Sequence, residues 1–170
     1  MRIEVLDFVY RTMEAHHLAR NAAGSVLDVG AIDINGTVKD QFTLRGWKYT
    51  GFDCEPGKGV DVVGDATRLL DHFKAEQFDC VISCETLEHV FDMAQINQQM
   101  RSLVKPGGLY ILTIAGNGFF EHRHPVDCWR VLPDGMKWLF RGFERIEVEE
   151  VMKGGKQAGI MGSGYKPKMS

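Results

Sequence analysis

The chain has 170 residues, of which 44% are hydrophobic and 25% charged, and its formal net charge is −3. This length suits one compact domain over residues 1–170, burying about 70% of the surface that the unfolded chain exposes. The composition is typical of a folded soluble protein, and the even spread of charge provides no basic field to attract nucleic acid. A small molecule is therefore favoured as the partner over nucleic acid.

The N-terminal segment MRIEVLDFVYRTMEAHHLAR carries a charge every few residues, unlike a secretory signal, and no apolar run approaches the ~18 residues of a membrane span. We expect a cytoplasmic protein with no membrane partner. Four cysteines, at 54, 80, 84 and 128, lack the spacing of a zinc or disulfide framework. Buried, reduced thiols are the simpler prediction.

Helix and strand patterns alternate in the first half of the chain. Apolar residues three and four apart predict an N-terminal helix over about 2–21 that packs on the domain: Ile3, Leu6, Val9, Tyr10 and Met13. Thr37 and Asp40 have the spacing of a capping box that begins a second helix. The other predicted elements are strand 25–29, a second helix ending at Gly46, and strand 47–53.

The second half continues the alternation and then changes. The predicted elements are strand 60–64, helix 65–76, buried strand 78–84, helix 92–104 capped by Asp92 with Gln95, a KPGG turn, strand 109–115, helix 133–140, and strands 143–152 and 157–166. The last two strands flank a Gly-Gly turn and predict an antiparallel hairpin. The fold class is therefore α/β, a three-layer Rossmann-like, mostly parallel sheet with helices on both faces and a C-terminal antiparallel hairpin.

One connection is unusually short. Only CEPGKG, residues 54–59, separates the second and third predicted strands, whereas a parallel crossover normally needs about a dozen residues. Either the crossover helix has shrunk to a loop, or the third strand is short and peripheral.

Acidic residues follow several strands, at the sheet edge where open α/β sheets bind ligands. Asp28 and Asp33 flank Gly30, and carboxylates beside a phosphate would repel it. The loop therefore suits a cationic ligand without phosphate. S-adenosylmethionine (SAM) fits, because it has a sulfonium, an α-amino group, a ribose diol and an adenine.

The strand-end residues suit separate parts of SAM. Gly30 lets the backbone approach the methionine part, and Asp28 supports the loop and the amino group. Asp53 can accept hydrogen bonds from both ribose hydroxyls, and Asp65 from the adenine amino group. The simpler interpretation of Asp28 or Asp65 taken singly is a helix or turn cap.

A nicotinamide dinucleotide site is the alternative, because Asp53 lies at a suitable distance to hold a ribose. That fingerprint requires G-x-G-x-x-G, and this chain has G-A-I-D-I-N-G. Ile32 stands where the glycine of close approach should be, so the dinucleotide interpretation is disfavoured.

The segments VLDVG, YTGFD, VGDAT, FDCVISCETLEHV and LVKPGGLYILT together resemble the class I SAM-dependent methyltransferases, in the group of small-molecule O- and C-methylating enzymes. The resemblance covers about residues 24–115 and the terminal hairpin. It departs from the family at Ile32 and Ile34, which replace further loop glycines. It implies these cofactor-binding residues: Asp28 and Gly30 in the SAM loop, Asp53 at the ribose, Asp65 and Ala66 at the adenine, and Cys84 and Glu85 beneath the cofactor.

Methyl transfer is an in-line displacement, and alignment alone can supply about 7–11 kcal/mol of the barrier. A base is needed only when the acceptor arrives protonated. Glu85, Glu88 and His89 would share a face of a helical turn beside the cofactor. A similar Glu-x-x-Glu-His holds a divalent metal in some O-methyltransferases of ubiquinone biosynthesis and in small-RNA 3′-end methyltransferases. A metal site with His122 or His124 is thus an alternative; we expect no metal, and a turn that His89 packs against or caps.

The segment EHRHPVDCWR, residues 121–130, follows the fifth predicted strand of the sheet and should overhang the acceptor pocket. His122 or His124 can act as a base there, with Trp129 as a wall. In the simpler interpretation, Asp127 and Arg130 pair to pin the loop, and Trp129 fills the edge of the core. We take His89 and His124 as the candidate catalytic residues.

The residues after the fourth strand constrain the acceptor. The chain has SCETLE there, in place of the Asn/Asp-Pro-Pro-aromatic motif of nucleic-acid amino methyltransferases, so methylation of base amino groups is disfavoured. The favoured function is methyl transfer to a small-molecule or glycan-like acceptor. The alternatives are a catalytically inactive SAM-binding or interaction domain, and a metal-dependent O-methyltransferase that acts on RNA 3′ ends.

Overall fold

The computed structural model describes residues 2–20 and 24–168. In chain order the elements are α1 (Ile3–Arg20), β1 (Ser25–Val29), α2 (Lys39–Thr43), β2 (Lys48–Asp53), β3 (Val62–Val63), a 3₁₀ helix (Ala66–Asp71), β4 (Phe78–Cys84), a 3₁₀ turn (Leu87–His89), α3 (Met93–Leu103), β5 (Val104–Ala115), α4 (Pro133–Leu139), β6 (Glu144–Lys153) and β7 (Lys156–Tyr165).

The strands form one seven-stranded sheet in the order β3-β2-β1-β4-β5-β7-β6. The first five strands in this order are parallel, and β7 lies antiparallel between β5 and β6. The chain moves outward from β1 to β3 and then returns to β4 beside β1, which opens a crevice at the carboxyl ends of these strands. The predicted α/β fold with its antiparallel hairpin is confirmed.

Successive side chains of the central strands point to opposite faces of the sheet, and both faces are covered. One core lies beneath α3 and α4 and includes Leu27, Val81 and Tyr110. The other lies beneath α1 and α2 and includes Val26, Ile82 and Ile111. Each fully buried apolar side chain of this size stabilises the fold by about 1.5–3 kcal/mol, so the sheet is a rigid platform for its carboxyl edge.

The predicted N-terminal helix is present, but its buried stripe differs from the prediction. Ile3 is 73% exposed and Tyr10 50% exposed. The side chains that face the sheet are Val5, Phe8, Val9 and Met13. The predicted end of the helix falls at 21–23, outside the described residues.

Helix α2 has five residues and is shorter than predicted. The Thr37 hydroxyl accepts a hydrogen bond from Lys39 N, at 3.1 Å, so the predicted capping box with Asp40 is wrong. This short helix has no side-chain cap at Val38. It is held in place by the burial of Val38 and Phe42 in the second core.

Two other predicted boundaries are wrong. The predicted helix over 65–76 is a 3₁₀ helix broken at Arg68, where φ is −131° and ψ is 34°. The helix ends at Asp71, and the burial of Phe73 against Phe52, with ring centroids 6.0 Å apart, holds the chain that follows it in place of the predicted continuation to 76. The predicted KPGG turn lies within β5, because Gly107 N donates to Lys166 O at 2.7 Å and extends the pairing with the last strand.

Both alternatives for the short crossover hold. Residues 54–61 form a loop, and β3 has two residues at the sheet edge. The cysteines are all free; Cys80 and Cys84 are buried as predicted, whereas Cys54 and Cys128 are exposed because they lie in loops. Within residues 2–20 and 24–168, no helix is long and apolar enough to cross a membrane.

Candidate functional site

The loop after β1 is built around Gly30, whose φ of +86° lies in the left-handed region that favours glycine. Its N–H donates to Phe52 O at 2.9 Å, which ties the loop to the end of β2. A Cβ at Gly30 would lie 2.0 Å from Thr86 Oγ1, so a larger residue cannot fit without a shift. The backbone of the loop is therefore brought close to the turn that follows β4.

Asp28 lies at the end of β1 and is 4% exposed. Its Oδ2 accepts a hydrogen bond from the Tyr49 hydroxyl at 2.7 Å, and its Oδ1 has no hydrogen-bond partner in the described part of the chain. Burial raises the pKa of Asp28 to about 6; the Tyr49 bond opposes the shift and the charge of Asp53 adds to it. A buried carboxylate oxygen without a partner is costly, and a bound cation or donor would offset that cost.

Asp53 links the loops that follow β1 and β2. Its Oδ2 accepts from Ile32 N at 3.0 Å, and its Oδ1 accepts from Cys54 N at 2.7 Å. Each carboxylate oxygen can accept a second hydrogen bond, so this support is compatible with the predicted contact to a ribose.

Asp65 caps the 3₁₀ helix, as the simpler interpretation predicted. Its Oδ1 accepts from both Thr67 N and Thr67 Oγ1, each at 2.8 Å, and the bond to the backbone N–H is the main cause that lowers the pKa of Asp65. Ala66 follows it, half-buried against the core. Both bonds use Oδ1, so the other oxygen is the one suited to the predicted adenine contact.

Ile32, which replaces a family glycine, is accommodated by the crossover loop. A Cβ at Gly57 would lie 2.5 Å from Ile32 Cδ1, so the isoleucine side chain packs directly on that glycine. The neighbouring residues strengthen the contact, since Lys58 Nζ lies 2.6 Å from Asp33 Oδ2 and Asp33 N donates to Lys58 O. Ile32 therefore packs on the short loop that stands in place of the crossover helix.

Cys84 is the last residue of β4, and Glu85 follows it directly. Cys84 is buried, and burial raises the pKa of its thiol. Glu85 has a φ of +54°, a strained value for a residue with a side chain, and its Oε2 lies 2.7 Å from Arg2 Nη2. Thr113 Oγ1 also lies 3.2 Å from Glu85 Oε1. The Glu85 side chain is therefore held toward the start of α1.

Glu88 is fully buried on the other side of this turn. Its Oε1 accepts from Ala115 N at 3.2 Å, while Oε2 finds no partner among the residues that the structure describes. Burial, together with the nearby charge of Glu85, raises the pKa of Glu88 to about 8. Glu88 thus favours a proton or a bound cation over a free negative charge.

Two histidines lie against Glu88. The rings of His89 and His122 have centroids 4.7 Å apart, and His122 Nε2 is 4.0 Å from Glu88 Oε1. One ligand atom from each of these three residues lies within 4.8 Å of the others. We call Glu88, His89 and His122 the histidine cluster. His124 is exposed and lies farther out, with its ring centroid 5.8 Å from that of His89.

His89 has a defined tautomer. Its Nδ1 lies 2.7 Å from Val126 O, and because a carbonyl oxygen only accepts, Nδ1 is assigned the proton and Nε2 the lone pair. Burial lowers the pKa of His89, which favours the neutral ring. Nε2 can therefore accept a proton or bind a metal.

The predicted shared face of Glu85, Glu88 and His89 is wrong. The 3₁₀ turn begins only at Leu87, and the left-handed backbone of Glu85 turns its side chain toward Arg2. His122 joins Glu88 and His89 in its place. The prediction from sequence spacing assumed that all three residues lie on one helical turn. Nothing in the sequence indicates the left-handed backbone at Glu85.

The loop that carries His122 is pinned as the simpler interpretation predicted. Arg130 forms a bidentate ion pair with Asp127, and one of its two bonds, from Nη2 to Oδ2, measures 2.7 Å. This pair lowers the pKa of Asp127, which also accepts from His122 N at 2.8 Å. Trp129 does not fill the core: it is 41% exposed, and its Nε1 donates to Val90 O.

The sequence reasoning missed several residues that shape the site. They are Arg2, Tyr49, Gly57 and Thr86, which contact Glu85, Asp28, Ile32 and Gly30 respectively. The contact of Tyr49 could have been predicted in part, because Tyr49 lies four residues before Asp53 on the strand that pairs with β1. The other three contacts join segments distant in the chain, and nothing local indicates them.

Comparison with known proteins gives a consistent result. Residues 12–112 match the family model of the methyltransferase domain. The ubiquinone biosynthesis O-methyltransferase of Pseudomonas syringae pv. tomato is 34% identical over 112 residues, which cover 57% of this chain and 47% of that protein. The protein of the same name from Pseudomonas paraeruginosa is 33% identical over 110 residues, covering 56% and 47%. This chain spans about half the length of these curated relatives.

Solved structures share the fold. A SAM-dependent methyltransferase from Archaeoglobus fulgidus superposes with a TM-score of 0.72 at 14% identity, covering 95% of this chain and 94% of that one. The 1,6-didemethyltoxoflavin-N1-methyltransferase of Burkholderia thailandensis, solved with 1,6-didemethyltoxoflavin and S-adenosylhomocysteine, gives 0.72 at 16% identity, covering 94% and 78%. At these identities the likeness establishes the arrangement of helices and strands.

Proposed function

This chain belongs to the class I family of SAM-dependent methyltransferases, and we propose that it transfers the methyl group of SAM to a hydroxyl oxygen of a small-molecule or glycan-like acceptor. The observation that supports oxygen as the acceptor atom is His89, whose pKa is lowered by burial and whose Nε2 is assigned the lone pair, at the carboxyl edge of the sheet. A hydroxyl acceptor arrives protonated and needs such a base, whereas alignment does most of the remaining work.

The residues at the strand ends fit the cofactor. When bound, SAM supplies an electrophilic methyl group on a sulfonium centre. Asp28 Oδ1 is buried and has no partner among the residues that the structure covers, as expected of an oxygen that would accept from the ammonium group of the bound cofactor. Gly30 permits close approach of the backbone, and Asp53 has acceptor capacity left for a ribose. Asp65 with Ala66, and Cys84 with Glu85, complete the proposed contacts around the adenine and beneath the cofactor.

The chain's own part in catalysis is to position the acceptor and to remove its proton. His89 Nε2 takes the proton while Val126 O holds the ring through Nδ1. Glu88 and His122 lie beside the His89 ring, with one ligand atom of each of the three residues within 4.8 Å of the others. His124 stands farther out, and we assign it a secondary role in contacting the acceptor.

Titration calorimetry with SAM and with S-adenosylhomocysteine tests the cofactor, and a screen of phenols, catechols and sugars with labelled SAM tests the acceptor. We expect both cofactor forms to bind and at least one hydroxyl compound to become methylated. Binding without any turnover would favour a catalytically inactive SAM-binding domain. Absence of binding would contradict both functions.

A second candidate, metal-dependent O-methylation, is favoured by the convergence of the histidine cluster within 4.8 Å. One carboxylate and two imidazoles suit divalent manganese, iron, cobalt or zinc. Glu88 Oε2, which has no partner in the described part of the chain, fits such an ion, which would polarise the acceptor oxygen. Metal analysis of the purified protein and thermal shifts on adding each ion test binding directly. Full methylation in the presence of a chelator would contradict the metal requirement.

We further propose that residues 1–170 act as one domain in the cytoplasm. The two cores on opposite faces of one sheet support the first part, and the four free cysteines suit a reducing compartment. Limited proteolysis of the purified chain and imaging of a tagged version in cells check the two statements.

A further inference from the structure

Tyr49 on β2 is the side chain that holds Asp28 on β1. Asp28 pairs with Gly51, and Val26, two residues earlier on β1, pairs with Tyr49. Side chains two residues apart on a strand point to the same face of the sheet. Because Gly51 has no side chain, the ring of Tyr49 extends along this face, and its hydroxyl lies 2.7 Å from Asp28 Oδ2.

The phenol of Tyr49 is the donor in this hydrogen bond. Burial, together with the charge of Asp28, raises the pKa of Tyr49 well above its ordinary value, so the phenol keeps its proton. The Thr37 hydroxyl forms a further side-chain hydrogen bond with the phenol, and Lys39 Nζ lies 5.0 Å from the centre of the ring. The start of α2 therefore holds the ring in place and brings a positive charge to its face.

The two oxygens of Asp28 have different surroundings. Oδ2 accepts from Tyr49, whereas the buried Oδ1 has no hydrogen-bond partner within residues 2–20 and 24–168. A hydrogen bond donated to a carboxylate favours its charged form. The bond from Tyr49 therefore leaves Oδ1 as the acceptor for a ligand and at the same time stabilises the negative charge that a cationic ligand requires.

The other groups around Asp28 do not take over this task. Burial raises the pKa of Asp28 to about 6; the bond from Tyr49 opposes that shift, and the charge of Asp53 adds to it. Burial also raises the pKa of two facing thiols, which stay neutral. Among the described residues, the titratable and charged groups that face Asp28 or its tyrosine partner are Tyr49 and Asp53 of β2, Cys80 and Cys84 of β4, and Lys39 of α2.

We propose that Tyr49 is a positioning residue for the cofactor: its hydroxyl keeps the Asp28 carboxylate charged and directs Oδ1 to the α-ammonium group of SAM. This inference rests on the proposed function, which puts that ammonium group at Asp28. A protonated Asp28 must lose its proton before it can bind the ammonium group. The affinity should therefore rise with pH and level off above the pKa of Asp28, at a pH that Tyr49 sets.

Titration calorimetry with S-adenosylhomocysteine from pH 5 to 8 tests the proposal, because this compound keeps the α-ammonium group. In wild type, the affinity should rise by up to about tenfold per pH unit below about pH 6 and then level off. Tyr49→Phe removes the hydroxyl and keeps the ring. Its affinity should level off about one pH unit higher, so that it binds several-fold more weakly than wild type at pH 5.5 and approaches wild type at pH 8.

The matched control is Tyr110→Phe. Tyr110 is fully buried in the core on the opposite face of the sheet, and its hydroxyl donates to Asn97 Oδ1 at 2.9 Å. This variant also loses a tyrosine hydrogen bond, but it should keep the wild-type dependence of affinity on pH. Circular dichroism of both variants checks that they are folded.

Two further compounds identify the group that Asp28 binds. S-Adenosyl-3-thiopropylamine lacks only the carboxylate, so its affinity should respond to Tyr49→Phe as that of S-adenosylhomocysteine does. 5′-Methylthioadenosine lacks the whole amino acid part, so its affinity should not change with Tyr49→Phe at any pH. The wild-type comparison of these compounds needs no variant: if their affinities depend on pH in the same way, the inference is overturned.

Failure of this inference can be distinguished from failure of the proposed function. If S-adenosylhomocysteine binds and Tyr49→Phe weakens it by the same factor at every pH, or has no effect, Tyr49 has only a structural role and the proposed function stands. If neither SAM nor S-adenosylhomocysteine binds to wild type at any pH, the proposed function fails and this inference fails with it.

Discussion

The half of the sheet's carboxyl edge that we propose for the cofactor, formed by the loops after β1 and β2, differs in construction from the half that we propose for the acceptor, formed after β4 and β5. We call them the cofactor half and the acceptor half. In the first, groups at the ends of adjacent strands bond to each other, as Asp53 does to Ile32 N. In the second, the turn at Glu88 and His89 is completed by a loop 37 residues away, through the bond between His89 and Val126. Contacts between the ends of adjacent strands can be predicted from a sequence. A contact made by a loop that folds back from a distant part of the chain cannot.

Both halves nevertheless contain a buried carboxylate, one oxygen of which has no hydrogen-bond partner within residues 2–20 and 24–168. Asp28 keeps a hydroxyl partner, Tyr49, on its other oxygen, and Glu88 keeps a backbone partner, Ala115 N. Burial raises the pKa of the first to about 6 and of the second to about 8. Each of the two carboxylates is therefore least favourable when it is charged and has no ligand. A bound cation would stabilise the charge on Asp28, and a proton or a metal ion would neutralise Glu88.

The largest effect should come from the acceptor half. We expect His89→Ala to lower kcat by about 10²–10⁴-fold, because it removes the base, while the Kd for SAM stays within about twofold. Single-turnover methylation and calorimetry measure the two quantities.

His124→Ala is the comparison variant, since His124 is exposed and outside the 4.8 Å group. Its kcat should fall by less than about tenfold, again with SAM affinity spared. If kcat falls equally in both variants, His124 matters as much as His89, which would contradict the assignment of His89 as the sole proton acceptor. An unchanged rate in His124→Ala would end its candidacy as a catalytic residue.

In the cofactor half, replacing Asp28 should have opposite effects on the stability of the fold and on the binding of SAM. Because burial raises its pKa to about 6, the folded state holds an extra proton between the unfolded value near 4 and pH 6. The contribution of Asp28 to the free energy of unfolding should therefore fall by up to about 3 kcal/mol as the pH rises through that range. Glu88, whose pKa burial raises to about 8, adds a fall that continues to higher pH in wild type and variant alike. Asp28→Asn should remove the Asp28 contribution and weaken SAM binding.

Urea denaturation at several pH values from 4 to 8 measures the stability, and calorimetry the affinity. Asparagine keeps an oxygen that can accept from Tyr49, so the packing is conserved. Parallel pH profiles for wild type and variant would show that the Asp28 carboxylate is not strained by burial.

Gly30 tests how tightly the two halves are joined. Gly30→Ala should destabilise the protein by about 2 kcal/mol more than Gly154→Ala, because both positions have a positive φ but only Gly30 meets Thr86. The neighbourhood of Gly154 is open to 4 Å, so its variant isolates the backbone term. Equal losses in thermal denaturation would mean that Thr86 moves away freely.

The sequence was sufficient for the sheet and for the positions of Asp28, Gly30 and Asp53, since alternating apolar runs define the strands and ligands bind at the strand ends. It failed where tertiary contacts override local preference. Glu85 adopts a left-handed backbone to meet Arg2, and His122 reaches Glu88 by way of the pinned loop. Spacing rules presuppose a regular helix, and the turn after β4 is not one.

The smallest effect concerns Ile32, where the cofactor half departs from its family. If Ile32 and Gly57 are mutually adapted, Gly57→Ala should cost about 1 kcal/mol in wild type, because its Cβ would lie 2.5 Å from Ile32 Cδ1. In an Ile32→Ala background the same change should cost almost nothing, which gives a coupling energy of about 1 kcal/mol in a double-mutant cycle. Additive losses would separate the two departures, leaving the short crossover loop without a part in holding the cofactor loop. A clear coupling would show that this half of the edge also depends on a contact between segments distant in the chain, and that the contrast with the acceptor half is one of degree.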